Sequence, residues 1–309
     1  MTKPQFQNNL DYFVADVFTD TPLAGNPLAV VMNTCGLRTE QMQAIAREFN
    51  LSETTFVERR PAEVEKAEGV RVRIFTTQEE LPFAGHPTLG TASVLKLHAP
   101  EVIEDDTITL ALNVGRVPVR FEDRADDSSG LFGEMTQRDP EFGKELNRAE
   151  VAPLLGLAVE DLDATLTPQI VSTGNAFAIV VLKTIQALEK LKVRQDEATA
   201  WLREHEARWF YVLAPALDDA QGPREQWRAR MQFYGGEDPA TGSEAGCTIS
   251  YLVARGAVIS DCRVHLRQGV EMGRPSNLFL TARKEMARVT DVRVAGSTVL
   301  VAKGQLFLP

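Results

Sequence analysis

Glu80-Leu-Pro-Phe-Ala-Gly-His-Pro-Thr-Leu-Gly-Thr-Ala-Ser-Val-Leu95 carries a turn and the start of a helix within sixteen residues. It follows the strand-like run Val70–Phe75, turns at Pro82 and Gly85, and then becomes small and apolar at helical spacing. Pro87 suits the first turn of a helix, where its missing N–H costs nothing. Gly85 lets the backbone come close to a ligand in front of that helix. A helix start carries unpaired N–H groups and a partial positive charge, so it can hold an anion. The same design returns 157 positions later as Glu237-Asp-Pro-Ala-Thr-Gly-Ser-Glu-Ala-Gly-Cys-Thr-Ile-Ser-Tyr-Leu252. Without a gap, Glu80 and Glu237, Pro82 and Pro239, Gly85 and Gly242, Thr91 and Thr248, and Ser93 and Ser250 coincide. Two helix starts, one per half, are the expected seat of the chemistry.

Outward from these stretches, Asp11–Phe18, Leu28–Met32, Leu51–Val57 and Val70–Phe75 read as strands. Between them, Met42, Ile45, Ala46 and Phe49 recur at helical spacing, with Thr39 as the expected cap and Asn50 as the expected stop. Thr107–Leu112 and Val114–Phe121 read as a hairpin pivoting near Asn113-Val-Gly115. Glu122–Gly130 is the most polar and turn-rich stretch, and it is the expected domain boundary. Asn147 and Glu150 have capping-box spacing ahead of Val151–Leu157. Strands are expected at Gln169–Ser172, Phe177–Leu182, Trp209–Leu213 and Arg228–Phe233, with a helix over Asp196–Glu206. Cys247–Ala254 continues the second glycine-turn helix, and Val264–Gln268, Asn277–Ala282, Val289–Val294 and Ser297–Lys303 read as strands.

Each half therefore has strands, a helix entered through a glycine turn, and more strands. A helix this short of charges is normally buried, and a curled sheet around it would cover every face. The expected fold class is α+β, with two pseudo-symmetric lobes. Each lobe is a curved, mostly antiparallel sheet wrapped around a central helix, with a cleft between the helix starts. The first lobe is expected over residues 1–123 and the second over 124–295.

The 309 residues are enough for two domains of ordinary size. A net charge of -10 argues against nucleic acid or an anionic membrane as the partner, yet a local helix start can still hold a small anionic substrate. Three cysteines (Cys35, Cys247, Cys262) without a Cys-x-x-Cys pair suit a reducing compartment. No apolar signal core follows Met1 and no apolar run reaches membrane-spanning length, so the expected location is the cytoplasm. The four histidines (His86, His98, His205, His265) are scattered without ligand spacing, so no metal is expected. Gly85–Thr91 has the glycine spacing of a phosphate loop but lacks its lysine, and no Gly-x-Gly-x-x-Gly follows a strand.

Glu53 lies among strand-forming residues, where a charge faces either water or a site. A carboxylate beside apolar walls has its pKa raised and becomes a usable proton shuttle; the alternative is a solvent-facing strand residue. His86 follows Gly85 at the helix start, and it either donates to a substrate oxygen or packs the turn. Asp238 and Ser243 flank the second turn at Gly242, and Ser243 holds the place of His86. They fit a substrate site, or an ordinary side-chain turn and helix cap. Asn26, Asn175 and Arg274 read as residues of tight turns.

Taken together, these residues resemble the PhzF-like phenazine-biosynthesis family, a branch of the diaminopimelate-epimerase fold. The resemblance lies in Asp16-Val-Phe-Thr with Gly25-Asn-Pro27, Leu51-Ser-Glu-Thr-Thr-Phe56 and Leu81-Pro-Phe-Ala-Gly-His-Pro87. It continues in Ser172-Thr-Gly-Asn175, Glu237-Asp-Pro-Ala-Thr-Gly-Ser243 and Gln268-Gly-Val-Glu-Met-Gly-Arg-Pro275. It implies a homodimer and an isomerase that needs no cofactor. It also implies that residues 296–309 return to complete the first lobe. In that family likeness Glu53 shuttles the proton, and His86, Gly85, Asp238, Gly242 and Ser243 surround a small carboxylate substrate. Racemases of the same fold place a cysteine at each helix start, whereas His86 and Ser243 stand there in this sequence. Two readings remain: a proton-transfer isomerase or related epimerase, and a metabolite-binding or interaction protein with the same cleft and little turnover.

Overall fold

The first half of the chain builds β1 (Asn8–Val17), β2 (Asn26–Val31), α1 (Thr39–Phe49), β3 (Glu53–Glu58), α2 (Ala62–Glu68), β4 (Val70–Phe75), β5 (Glu80–Leu81) and α3 (Gly85–His98). It continues with β6 (Thr107–Leu112), β7 (Gly115–Glu122) and β8 (Leu131–Thr136). The second half builds β9 (Glu141–Glu145), α4 (Arg148–Leu154), β10 (Gln169–Ser172), β11 (Ala176–Val181), α5 (Ile185–Glu189), α6 (Gln195–Glu204), β12 (Trp209–Pro215) and β13 (Gln226–Phe233). It ends with β14 (Gly236–Asp238), α7 (Gly242–Ala254), β15 (Val264–Gln268), β16 (Ser276–Glu285) and β17 (Arg288–Leu308). These come from a computed structural model, which describes residues 8–123, 130–216, 225–233 and 236–308. The chain is α+β and its strand pairs are mostly antiparallel.

Two compact units emerge, one running up to Met135 and resuming at Ser297, the other from Thr136 to Gly296. In the first, β1 pairs antiparallel with β2, and β2 parallel with β3 across the α1 connection. Then β3 pairs antiparallel with β4, and β4 parallel with β6 across α3. In the second unit, β10–β11 are antiparallel, β11–β12 parallel, β12–β13 antiparallel and β13–β15 parallel across α7. The repeat extends to the register. Ile74 faces Leu81 in the first unit, and Met231 faces Asp238 at the corresponding places in the second.

The matched glutamates have a structural job. Arg73 grips Glu80 through Nε at 2.8 Å and Nη2 at 2.6 Å, and Arg230 grips Glu237 at 2.8 and 2.7 Å. Each fork holds the short strand that feeds a glycine turn. The matched serines also agree, Ser93 Oγ donating to Leu89 O at 2.9 Å and Ser250 Oγ to Gly246 O at 2.7 Å.

Both charge-poor helices are buried along nearly their whole length, α3 from Gly85 to Leu95 and α7 from Gly242 to Val253. α3 packs on β1, β2, β3, β6 and β7, and α7 on β10, β11 and β16. A Cβ at Gly90 would fall 2.6 Å from Leu28 Cδ2 and 2.7 Å from Val17 Cγ2, so only glycine lets α3 lie this close to β1 and β2. Thr91 Oγ1, 2.8 Å from Thr55 Oγ1, ties the same helix to β3.

Several expectations change in detail. Helix α1 begins on Thr39 instead of being capped by it; the Gln41 side chain takes the Arg38 N–H at 3.0 Å, and the Thr39 hydroxyl accepts from Arg73. Asn50 ends the helix in the left-handed conformation, as expected. Asn147 caps α4 by accepting from Ala149 N at 2.9 Å. The strands read separately at Val289–Val294 and Ser297–Lys303 are one strand, β17, which passes through Ala295-Gly296 unbroken. Its end returns to the first unit, antiparallel to β1 from Thr298 opposite Val17 to Leu308 opposite Asn8. Short α2 went unread because its sequence is mostly charged. Its Glu65 is nevertheless buried, held by Arg59 Nε at 2.9 Å and Arg60 N at 2.8 Å. Most of the polar boundary stretch, residues 124–129, lies outside the described residues.

Candidate active site

In the first unit, the candidate residues meet where β2, β3 and α3 begin. Glu53 is the first residue of β3, beside Leu28 of β2, and its side chain keeps 16% of its exposure. His86 is the second residue of α3 and is 3% exposed. Its Nε2 lies 3.4 Å from Glu53 Oε2. Its Nδ1 lies 3.2 Å from Nδ2 of Asn26, which opens β2 opposite Val17. An amide N–H₂ can only donate, so this contact makes Nδ1 the acceptor and leaves the ring proton on Nε2, which lies near the carboxylate without a hydrogen bond to it. Burial pushes the His86 imidazole down to about 3, so the ring is neutral at pH 7. A neutral ring tied to Asn26 through Nδ1 keeps an uncommitted N–H donor close to the Glu53 carboxyl. Gly85 supplies the preceding N–H of the helix start, where Pro87 has none and Thr88 N already donates to Ala84 O.

In the second unit, Asp238 ends β14 and is 4% exposed. Its Oδ2 accepts the Thr241 hydroxyl at 2.7 Å. Gln268, at the end of β15, holds this turn from behind. Its Nε2 donates to Asp238 O at 2.8 Å, while its Oε1 accepts from Thr241 N at 3.1 Å and from the Tyr211 hydroxyl at 2.6 Å. Gly269 next to it has φ of 73°, and a Cβ there would fall 2.7 Å from Pro239 O, so the 268–275 loop can lie on the turn only with glycine. Ser243, the second residue of α7, is not a helix cap; its hydroxyl donates to Glu244 Oε2 at 2.5 Å. The first turn is braced by Gln137, whose Nε2 donates to Gly242 O at 2.7 Å and whose Oε1 accepts from Thr173 at 2.7 Å.

Burial, the largest influence, pushes the Glu244 carboxyl up to about 8, with the Ser243 hydroxyl opposing and the Asp238 charge reinforcing. Burial likewise raises the Cys247 thiol to about 12, which makes it inert one turn below the helix start. Among the described residues, no three His, Cys, Asp or Glu side chains are grouped as a metal ion would need, and no helix is long and apolar enough to cross a membrane.

A family profile described as "Phenazine biosynthesis-like protein" matches residues 15–304. The chain belongs to the PhzC-PhzF family. A relative from Pseudomonas fluorescens, named trans-2,3-dihydro-3-hydroxyanthranilate isomerase, is 35% identical over 301 residues, covering 96% of this chain and 99% of its own. The solved PhzF-family phenazine biosynthesis protein of Bacillus anthracis is 25% identical with a TM-score of 0.83, covering 98% of this chain and all of the other. A probable proline racemase from Agrobacterium radiobacter shares only the fold, at 12% identity and a TM-score of 0.61, over 97% of this chain and 93% of that one. PhzF-family membership and the isomerases at this identity make the chain an isomerase.

Of the expected site residues, the first unit brings together Glu53, Gly85 and His86, and the second brings together Asp238, Gly242 and Ser243. Asn26, read as a turn residue, is the partner of His86. Glu244, Tyr211 and Gln137 carried no local signal, and Gln268 stood out only within the 268–275 motif, since each acts through a partner distant in sequence or through burial.

Proposed function

We propose that the chain catalyses a cofactor-independent proton shift within a small carboxylate, with Glu53 carrying the proton. The observation that supports this most is the Glu53 carboxylate lying 3.4 Å from the Nε2 of a buried, neutral His86. An isomerisation moves a proton from one carbon to another and leaves the formula unchanged. One carboxyl that takes the proton and returns it is enough, and a neutral donor beside it steadies the charge that develops. His86 orients the carboxylate or a substrate oxygen; its low proton affinity makes it a poor base. Glycine N–H groups at the starts of α3 and α7 suit an anionic group. Asp238 and Ser243 are assigned to the same substrate by the family resemblance.

The substrate class is a cyclohexadiene amino acid of the trans-2,3-dihydro-3-hydroxyanthranilate type, by likeness to the relatives that bear that name. A dimer and a cytoplasmic location are part of the same reading, the dimer being open to sedimentation velocity. The test is incubation with trans-2,3-dihydro-3-hydroxyanthranilate in D₂O. Loss of substrate with deuterium appearing on a product carbon, undiminished after dialysis against EDTA, is expected. An unchanged substrate without deuterium would overturn the substrate assignment, and loss of activity on dialysis would overturn cofactor independence.

A further inference from the structure

Glu244 is a carboxyl group that the proton shift leaves without a role. It is the third residue of α7 and 1% exposed, with Oε2 2.5 Å from Ser243 Oγ. A carboxylate buried this deeply is normally matched by a cation or by several donors. Its close partners here are its own backbone N–H and the Ser243 hydroxyl, and of the two only the hydroxyl can either donate or accept. When ionised, Glu244 only accepts, and the Ser243 proton is committed to it. When neutral, Glu244 donates to Ser243 Oγ, and the serine proton is free to point at an oxygen in front of the helix. Near it, Gln137 Nε2 is committed to Gly242 O and the Thr241 hydroxyl to Asp238 Oδ2, so the Ser243 hydroxyl is the adjustable donor.

We infer that Glu244 is a positioning residue that sets the direction in which the Ser243 hydroxyl donates, and thereby whether the start of α7 accepts an anion. This rests on the proposal that the substrate carboxylate is held there. The first unit has a similar device, because Asn26 fixes the ring of His86, the residue that corresponds to Ser243.

Few other groups around Glu244 change charge near neutral pH. On its own helix, Cys247 is raised to about 12, and Tyr211 of β12 is raised well above its ordinary value, chiefly by burial. Asp238 of β14 adds negative charge and Arg208 adds positive charge. Strands β10 and β11 carry no titratable side chain. Those of β16 are Arg283, Lys284 and Glu285 at its end, with Lys284 Nζ donating at 2.8 Å to Ala254 O at the far end of α7. With Glu244 titrating near 8, its neutral fraction falls about tenfold between pH 7 and pH 9.

The experiment is titration calorimetry with inorganic sulfate from pH 6 to pH 9.5, on wild type, Glu244→Gln and Ser243→Ala. Sulfate affinity of the wild type should fall about tenfold between pH 7 and pH 9. Glu244→Gln, whose amide donates as the neutral acid does, should bind at pH 9 as at pH 7. Ser243→Ala should bind more weakly at pH 7 and lose less on going to pH 9. A flat wild-type profile, no sulfate binding at pH 6, or the same fall in Glu244→Gln would each overturn the inference. The flat-profile outcome does not depend on any variant folding. Absence of isomerisation beside an intact sulfate profile would remove the proposed substrate and leave the role of Glu244 standing.

Discussion

His86 and Glu244 are both buried ionisable groups at the start of a helix, and burial moves them in opposite directions. His86 falls from 6.5 to about 3, so the folded protein binds fewer protons than the unfolded chain between those values. Its contribution to stability is present above pH 6.5 and is lost as pH falls towards 3, at up to about 1.4 kcal/mol per pH unit. Glu244 rises from 4.5 to about 8, so its contribution is present below pH 4.5 and is lost as pH climbs through 8. Melting temperature against pH should show both limbs. His86→Gln should flatten the acid limb and Glu244→Gln the alkaline one; a variant curve parallel to wild type would remove that residue from the account. Glu53 and His86 stood out in the sequence as candidates because a charge in a strand and a histidine after a turn glycine are uncommon in those places. Asn26 was not, since its partner lies 60 positions away. A glutamate in the first turn of a helix is an ordinary match to the helix dipole, and only packing reveals that Glu244 is buried.

At the level of elements, the two glycine-turn helices were legible from their lack of charge. The forks that hold them, Arg73 on Glu80 and Arg230 on Glu237, were visible only as repeated glutamates. Contact across a sheet edge leaves no local pattern in a chain. At Gly90, α3 lies against its sheet with no room for a Cβ. Gly90→Ala raises helix propensity by about 1 kcal/mol but adds one methyl group against Val17 and Leu28. The expected result is a loss of about 1–3 kcal/mol in denaturant unfolding, from overpacking. Unchanged or greater stability would mean that α3 can retreat from β1 and β2 at no cost.

For the whole molecule, the order of the longer strands and helices followed from periodicity and turn residues, and the internal repeat from a single ungapped offset, whereas α2, α5, β8 and β9 did not stand out. The continuity of β17 did not follow, because Ala295-Gly296 looks like a break while the ladder on either side spans it. Its last part covers β1 from Val17 to Asn8, so a chain ending at Gly296 would leave β1 without that partner strand. Such a truncation should lose the cooperative melting of the first unit, and a native melting curve would show that the returning segment is dispensable.

The account centres on Glu53 as the proton carrier, and Glu53→Gln tests it most directly. The amide keeps the size of the side chain and much of its hydrogen bonding, so the fold should be retained, as judged by the melting curve. Solvent deuterium exchange into trans-2,3-dihydro-3-hydroxyanthranilate, or its isomerisation, should fall by roughly 100-fold or more, the usual scale for losing a positioned acid/base group. Undiminished exchange in a folded Glu53→Gln protein would contradict the account and move the proton to another group.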